Sequence, residues 1–204
     1  MLKTENTLLT GPVGPALLRF ALPFFAASFL QLLYGAVDMA AVGQFSTSAA
    51  LAGVSSGSQV MHTVTALVVG LSTGGTVLIG QYVGARREEE ISRAIGTMFP
   101  LFALVAVVIS VVMAAGTPWI VLAMQVPAAA VEQAEHYLFI CALGMVFVTG
   151  YNMVAGILRG LGDSKSPLIL IAIACVLNIV GDLILVGPLQ MGAMGAAVAT
   201  VVAQ

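Results

Sequence analysis

The 204-residue chain is short of charge: seven Lys and Arg with nine Asp and Glu make up 8% of it, where ordinary globular domains carry about 25%. So few charges cannot solvate the surface of a folded globule of this length, which excludes a soluble domain. Seven scattered basic residues also exclude a surface that neutralises a run of phosphates, so nucleic acid is not an expected partner. Cysteine is nearly absent. Cys141 and Cys175 lie inside apolar runs with no Cys or His at metal-ligand spacing, so no disulfide or metal centre is expected and both read as small buried hydrophobes. Residues 1–10 carry one lysine. The first apolar run is longer than the roughly 7–15 residues of a secretion-signal core and lacks a convincing small-residue cleavage site, so it reads as a retained span.

What is present is apolar. Hydrophobic residues make up 60% of the chain and the mean hydropathy is +1.08, so most helices must be apolar on every face and the expected solvent is the lipid bilayer. Crossing about 30 Å of hydrocarbon takes roughly 20 apolar residues. Six runs qualify, near residues 16–42, 49–83, 94–116, 135–158, 167–186 and 192–204, the last cut off at Gln204. Breaks fall at Gly84 with the charged stretch Arg86–Glu90, at Thr117-Pro118, at Gly160-Leu161-Gly162-Asp163 and at Gly187-Pro188. Ser166-Pro167 reads as an N-cap followed by a first-turn proline. The proline-broken stretch 118–131 is expected to lie along the interface. The fold class is therefore an all-α, six-helix transmembrane bundle in the cell (inner) membrane. Basic residues collect in cytoplasmic loops. Lys3, Arg19, Arg86, Arg87, Arg93, Arg159 and Lys165 all fall on one side of this arrangement, which places the N-terminus in the cytoplasm.

Small residues four apart let helix backbones approach in lipid. Gly53/Gly57, Gly70/Gly74, Gly80/Gly84 and Gly156/Gly160 have that spacing and read as packing faces. Alternatively, the long glycine-rich second span bends or tilts during a transport cycle.

Asp38 and Asp182 are the ionisable residues that no loop can accommodate, and a carboxylate in hydrocarbon must be paired, neutralised or wetted. Both lie near the outer ends of spans running outward. Gln31 and Tyr34 share a helix face with Asp38, and Asn178 sits one turn before Asp182. Thr200 lies at comparable depth in the sixth span. Two polar faces meeting at one depth describe a hydrated pocket; two carboxylates there, with no basic residue in the outer half, can take up a proton, or with Asn178 and Thr200 coordinate sodium. The plainer reading is that each Asp is wetted at the outer interface. Asn152 either lines the same cavity lower down or caps a helix contact. His62, near Gln59 and Thr63, either relays protons or hydrogen-bonds a neighbouring helix.

Several stretches together resemble the multidrug and toxic compound extrusion family: Leu32-Leu33-Tyr34-Gly35-Ala36-Val37-Asp38, Gly80-Gln81-Tyr82-Val83-Gly84-Ala85-Arg86, Arg159-Gly160-Leu161-Gly162-Asp163-Ser164-Lys165, Asn178-Ile179-Val180-Gly181-Asp182 and Gly192-Ala193-Met194-Gly195-Ala196-Ala197. The Asn-x-x-x-Asp pair is most similar to the DNA-damage-inducible F-type subgroup. The resemblance implies a proton- or sodium-coupled antiporter exporting amphipathic, often cationic compounds, with no other cofactor. It implies a cation site at Asp38, Asn178, Asp182 and Thr200, with Gln31, Tyr34 and Asn152 in the surrounding network. It further implies two six-helix lobes, of which this sequence supplies the amino-terminal one, so that a carboxy-terminal lobe or a second copy is needed for a complete cleft and residues 1–204 alone are not expected to transport.

Two other readings rank lower. A lipid or lipid-linked oligosaccharide flippase of the same superfamily needs basic cavity residues for phosphate, and the outer half offers none. The Gly160-Leu161-Gly162-Asp163 stretch matches the Gly-x-Gly-Asp pattern of intramembrane aspartyl proteases, whose chemistry needs a second carboxylate within the membrane. Asp163 instead falls in a charged loop between Arg159 and Lys165, and the chain is not expected to be an enzyme.

Overall fold

The computed structural model describes residues 13–204, so Lys3 and residues 1–12 lie outside the described residues. Those described form six α-helices: α1 (Val13–Phe45), α2 (Ser48–Gly84), α3 (Glu88–Ala123), α4 (Val131–Gly160), α5 (Lys165–Leu185) and α6 (Gly192–Ala203). A single 3-10 turn at Ala128–Ala130 leads into α4. The first five helices are long and apolar enough to cross a membrane. This is an all-helical, multi-pass membrane fold.

α4 is the axis of the bundle. It packs against α2, α3 and α6, while α1 leans mainly on α5 and α5 on α6. Half of the most apolar stretch of α4 is buried, whereas none of that of α1 is. The outward faces of α3 and α5 are what a lipid-facing surface requires: Leu104, Val108, Val111 and Val112 on one, Ile173, Val176, Leu177 and Val180 on the other.

Glycine makes the α2–α4 seam. A Cβ on Gly160 would come within 2.9 Å of the Thr76 carbonyl oxygen, and one on Gly156 would collide with the Ser72 hydroxyl. On the other half of the seam, a Cβ on Gly57 would enter the Tyr137 ring. Two of the expected glycine pairs therefore pack, but Gly70 and Gly74 do not: a Cβ at either meets nothing within 4 Å. Helical spacing identifies a glycine face without saying whether a neighbour lies against it.

Two boundary expectations are corrected. α3 runs through Thr117-Pro118 to Ala123, so residues 117–123 extend the helix rather than lie along the interface. A proline breaks helices readily in water, but transmembrane helices tolerate it because neighbouring groups re-satisfy the freed backbone. Trp119 near that outer end is 74% exposed, where an amphipathic indole suits the membrane interface. At the start of α5 the capping oxygen belongs to Asp163, not Ser166: Asp163 Oδ1 accepts from the Lys165 and Ser166 amides at 3.0 Å each, and Pro167 sits two positions deeper in the first turn, as the third residue of the helix.

Candidate functional site

α1, α5 and α6 converge on one buried polar cluster. Helical spacing puts Asn178 and Asp182 on the same face of α5, and neither is exposed at all. Asp38 of α1, 4% exposed, turns its carboxyl toward that of Asp182. Tyr34, one turn before Asp38, faces Thr200 of α6 and lies within electrostatic reach of both carboxyls. A glycine brings α6 this close: a Cβ on Gly181, the neighbour of Asp182, would stand 2.9 Å from the Ala199 Cβ.

The cluster is short of partners. Eight buried side-chain polar atoms find no hydrogen bond among the described residues, and six of them belong to Asp38, Asn178, Asp182 and Thr200. The other two are the single hydroxyls of Ser110 and Thr149. Among the described residues no cationic side chain acts on either carboxyl. Buried polar groups are normally bonded, so this concentration of free carboxylate, amide and hydroxyl oxygens is chemically specific. It suits a proton shared between the carboxyls, or a small hard cation that takes oxygen ligands.

Sequence reasoning missed the contribution of α4. Tyr137 and Cys141, one turn apart and both buried, lie within electrostatic reach of Asp38, and the Tyr137 hydroxyl shares a 3.1 Å hydrogen bond with Ser58 of α2. Their four-residue spacing was the available signal, hidden in an otherwise apolar run. Cys141 is buried as expected, yet it borders the acid pair rather than serving only as core.

Two expected neighbours, Gln31 and Asn152, stand elsewhere, as does His62. Gln31 is exposed on α1. Asn152 lies in the α2–α4 seam, where its Nδ2 donates to the Val148 carbonyl at 2.8 Å and its own carbonyl accepts from Ser72 Oγ at 2.6 Å; it serves a helix contact rather than the acid cluster. His62 is on an exposed face of α2 together with Ser55, Gln59 and Thr63.

The Gly160–Asp163 loop is a helix connector. Gly162 has φ 91°, a left-handed geometry that glycine adopts freely at a helix C-terminus, and the Asp163 amide closes the turn on the Leu158 carbonyl at 2.8 Å. Partial burial pushes the Asp163 carboxyl up, but the Ser166 hydroxyl, the Ser166 and Lys165 amides and the Lys165 charge together hold it below the usual carboxylate range. Asp163 is fully engaged in capping α5.

The MatE family model matches residues 23–184. The chain belongs to the MatE family. Its relatives include the "Probable multidrug resistance protein YpnP" of Bacillus subtilis (strain 168), 29% identical over 95% of this chain and 44% of that protein. The DNA damage-inducible protein F of Escherichia coli (strain K12) is 32% identical over 93% of this chain and 41% of its own length. A solved structure described as the outward-facing conformation of a multidrug resistance MATE family transporter superposes with a TM-score of 0.91 at 28% identity, covering 100% of this chain and 45% of that one. The MatE chain thus spans less than half the length of the relatives it matches. Membership agrees with the five apolar helices in making it a multi-pass membrane protein.

Proposed function

We propose that this MatE chain forms the cation-binding lobe of a proton- or sodium-coupled antiporter that exports amphipathic, often cationic compounds. The supporting observation is the concentration of partnerless oxygens at Asp38, Asn178, Asp182 and Thr200. A cation arriving there neutralises the facing carboxyls; its departure restores their repulsion. Either state can favour a different arrangement of α1 against α5, which is how a bound ion biases a two-state element. Substrate is held elsewhere, against the exposed polar face of α2 that carries Ser55, Gln59 and His62. Such side chains are costly against lipid and suit a water-filled cleft closed by a second bundle.

In the full-length protein, Asp38→Asn and Asp182→Asn each abolish coupled efflux while membrane insertion is kept. Unchanged drug resistance in the double variant would overturn the assignment. Efflux that responds to a sodium gradient at fixed pH identifies sodium as the coupling ion; efflux that responds only to a pH gradient identifies the proton. No observation favours the flippase reading, since among the described residues no cationic side chain acts on the cluster.

A further inference from the structure

We propose that the groove between α2 and α3 is a binding site for a phospholipid whose headgroup carries both a phosphate and a free primary ammonium, as in phosphatidylethanolamine. α2 and α3 each pack chiefly on α4 and less on each other, leaving a cavity of ≈ 430 Å³ between them. Its walls are Leu71, Leu78, Leu101 and Phe102. Gly74 keeps it open, since no atom lies within 4 Å of where its Cβ would stand. From Leu71 to Tyr82 the groove runs along about 16 Å of helix, the hydrocarbon depth of one leaflet, half of about 30 Å.

Charge is confined to the end beside the basic loop, and the hydroxyl of Thr97, one turn deeper in the wall, is spent on the Arg93 carbonyl at 2.8 Å. Tyr82, Glu90 and Arg93 line the groove there. Arg93 already bonds Glu89 at 2.6 Å, and its other terminal nitrogen lies 3.8 Å from Glu90, but a guanidinium has five N–H donors and keeps some for a phosphate, as does the Tyr82 hydroxyl. Glu90 then faces the ammonium. A purely anionic headgroup would meet the Glu90 carboxylate, and a quaternary ammonium has no proton to give it. The one cation and one anion lining the groove therefore complement a zwitterion with a hydrogen-bonding amine, in the leaflet on the basic side of the bilayer.

The test uses the purified full chain, stripped of lipid in detergent and titrated with phosphatidylethanolamine, phosphatidylglycerol and phosphatidylcholine of identical acyl chains, with binding read by native mass spectrometry. Phosphatidylethanolamine is expected to bind about tenfold more tightly than either other lipid, the factor for one charge-assisted hydrogen bond. Arg93→Gln weakens all binding, Glu90→Gln shifts the preference to phosphatidylglycerol, and Gly74→Leu fills the groove and weakens all three lipids. Arg93 and Glu90 are surface side chains and Gly74 has open space, so none of these changes threatens the fold. Equal affinity for the three lipids, or unchanged phosphatidylethanolamine binding in Arg93→Gln or Gly74→Leu, overturns the proposal.

Discussion

The α2–α4 seam and the α1–α5–α6 cluster both bury polar side chains in one bundle, and they treat them oppositely. In the seam Ser72 and Thr76 spend their hydroxyls on the neighbouring backbone, Ser72 on the Asn152 carbonyl at 2.6 Å and Thr76 on the Gly156 carbonyl at 2.9 Å, with glycines bringing the backbones into range. In the cluster, four residues hold six atoms without a hydrogen bond among the described residues. Interhelical hydrogen bonds are glue between membrane helices, whereas each unsatisfied buried group costs about 1–3 kcal/mol. The seam is built for adhesion and the cluster is not, which separates structure from function by hydrogen bonding alone.

The sharpest way to break this comparison is to spoil the seam. Gly156→Val drives its side chain into a Ser72 hydroxyl pinned on the Asn152 carbonyl, and overpacking of that kind costs about 3 kcal/mol. Reversible unfolding in mixed detergent micelles should show that loss; a loss under about 1 kcal/mol would mean that the helices separate easily and the seam is not adhesive. The cluster predicts the reverse sign. Asp182→Val removes two partnerless oxygens without large overpacking and should raise stability by about 1–3 kcal/mol in sodium-free buffer, even as efflux disappears. A less stable Asp182→Val protein would mean the carboxyl is bonded, and the contrast between the two regions would fail.

Asp163 is a smaller case, outside the bilayer core. Its carboxyl is satisfied like a seam hydroxyl, and Asp163→Ala should cost about 1 kcal/mol, the usual worth of an N-cap. Because its native pKa lies below the ordinary carboxylate value, this contribution is complete above the unfolded pKa and disappears as pH falls through the native one. Thermal unfolding of the wild type and of Asp163→Ala should therefore differ at neutral pH and converge in acid. A difference that persists at the acid end would place the effect in the loop backbone rather than in the charge.

The acid pair was legible because a charge inside a 20-residue apolar run is costly unless it is wetted at the interface, and because the four-residue spacing to Asn178 and Tyr34 survives folding. Periodicity gives the face of a helix but not which neighbour meets it. It therefore put Gln31 with Asp38, although Gln31 is exposed, and left Asn152 between the cavity and a helix contact, of which its bonds in the seam are the second. Tyr137 and Cys141 were illegible for the complementary reason: which stripe of α4 borders Asp38 is a long-range fact, and neither residue carries a charge that would be costly elsewhere. Spans were readable from hydropathy, whereas the extension of α3 past Pro118 was not, because the rule that proline ends a helix belongs to water.

The finest test asks whether the bonds themselves, rather than burial, distinguish the two classes of hydroxyl. Ser72 and Ser110 are both buried serines, 0% and 9% exposed, yet Ser72 is bonded and Ser110 Oγ is not. Ser72→Ala should lose about 0.6 kcal/mol, the average for an interhelical bond between membrane helices; the loss is small because the Asn152 carbonyl stays within helical α4. Ser110→Ala should lose nothing or gain slightly, since it removes a buried group without a partner. Paired unfolding measurements resolve a difference of that size only when both variants keep the same denaturant slope. If the two serines shift stability equally, pairing is not what separates seam from cluster, and the orphaned oxygens at Asp38, Asn178, Asp182 and Thr200 lose their claim to mark a site.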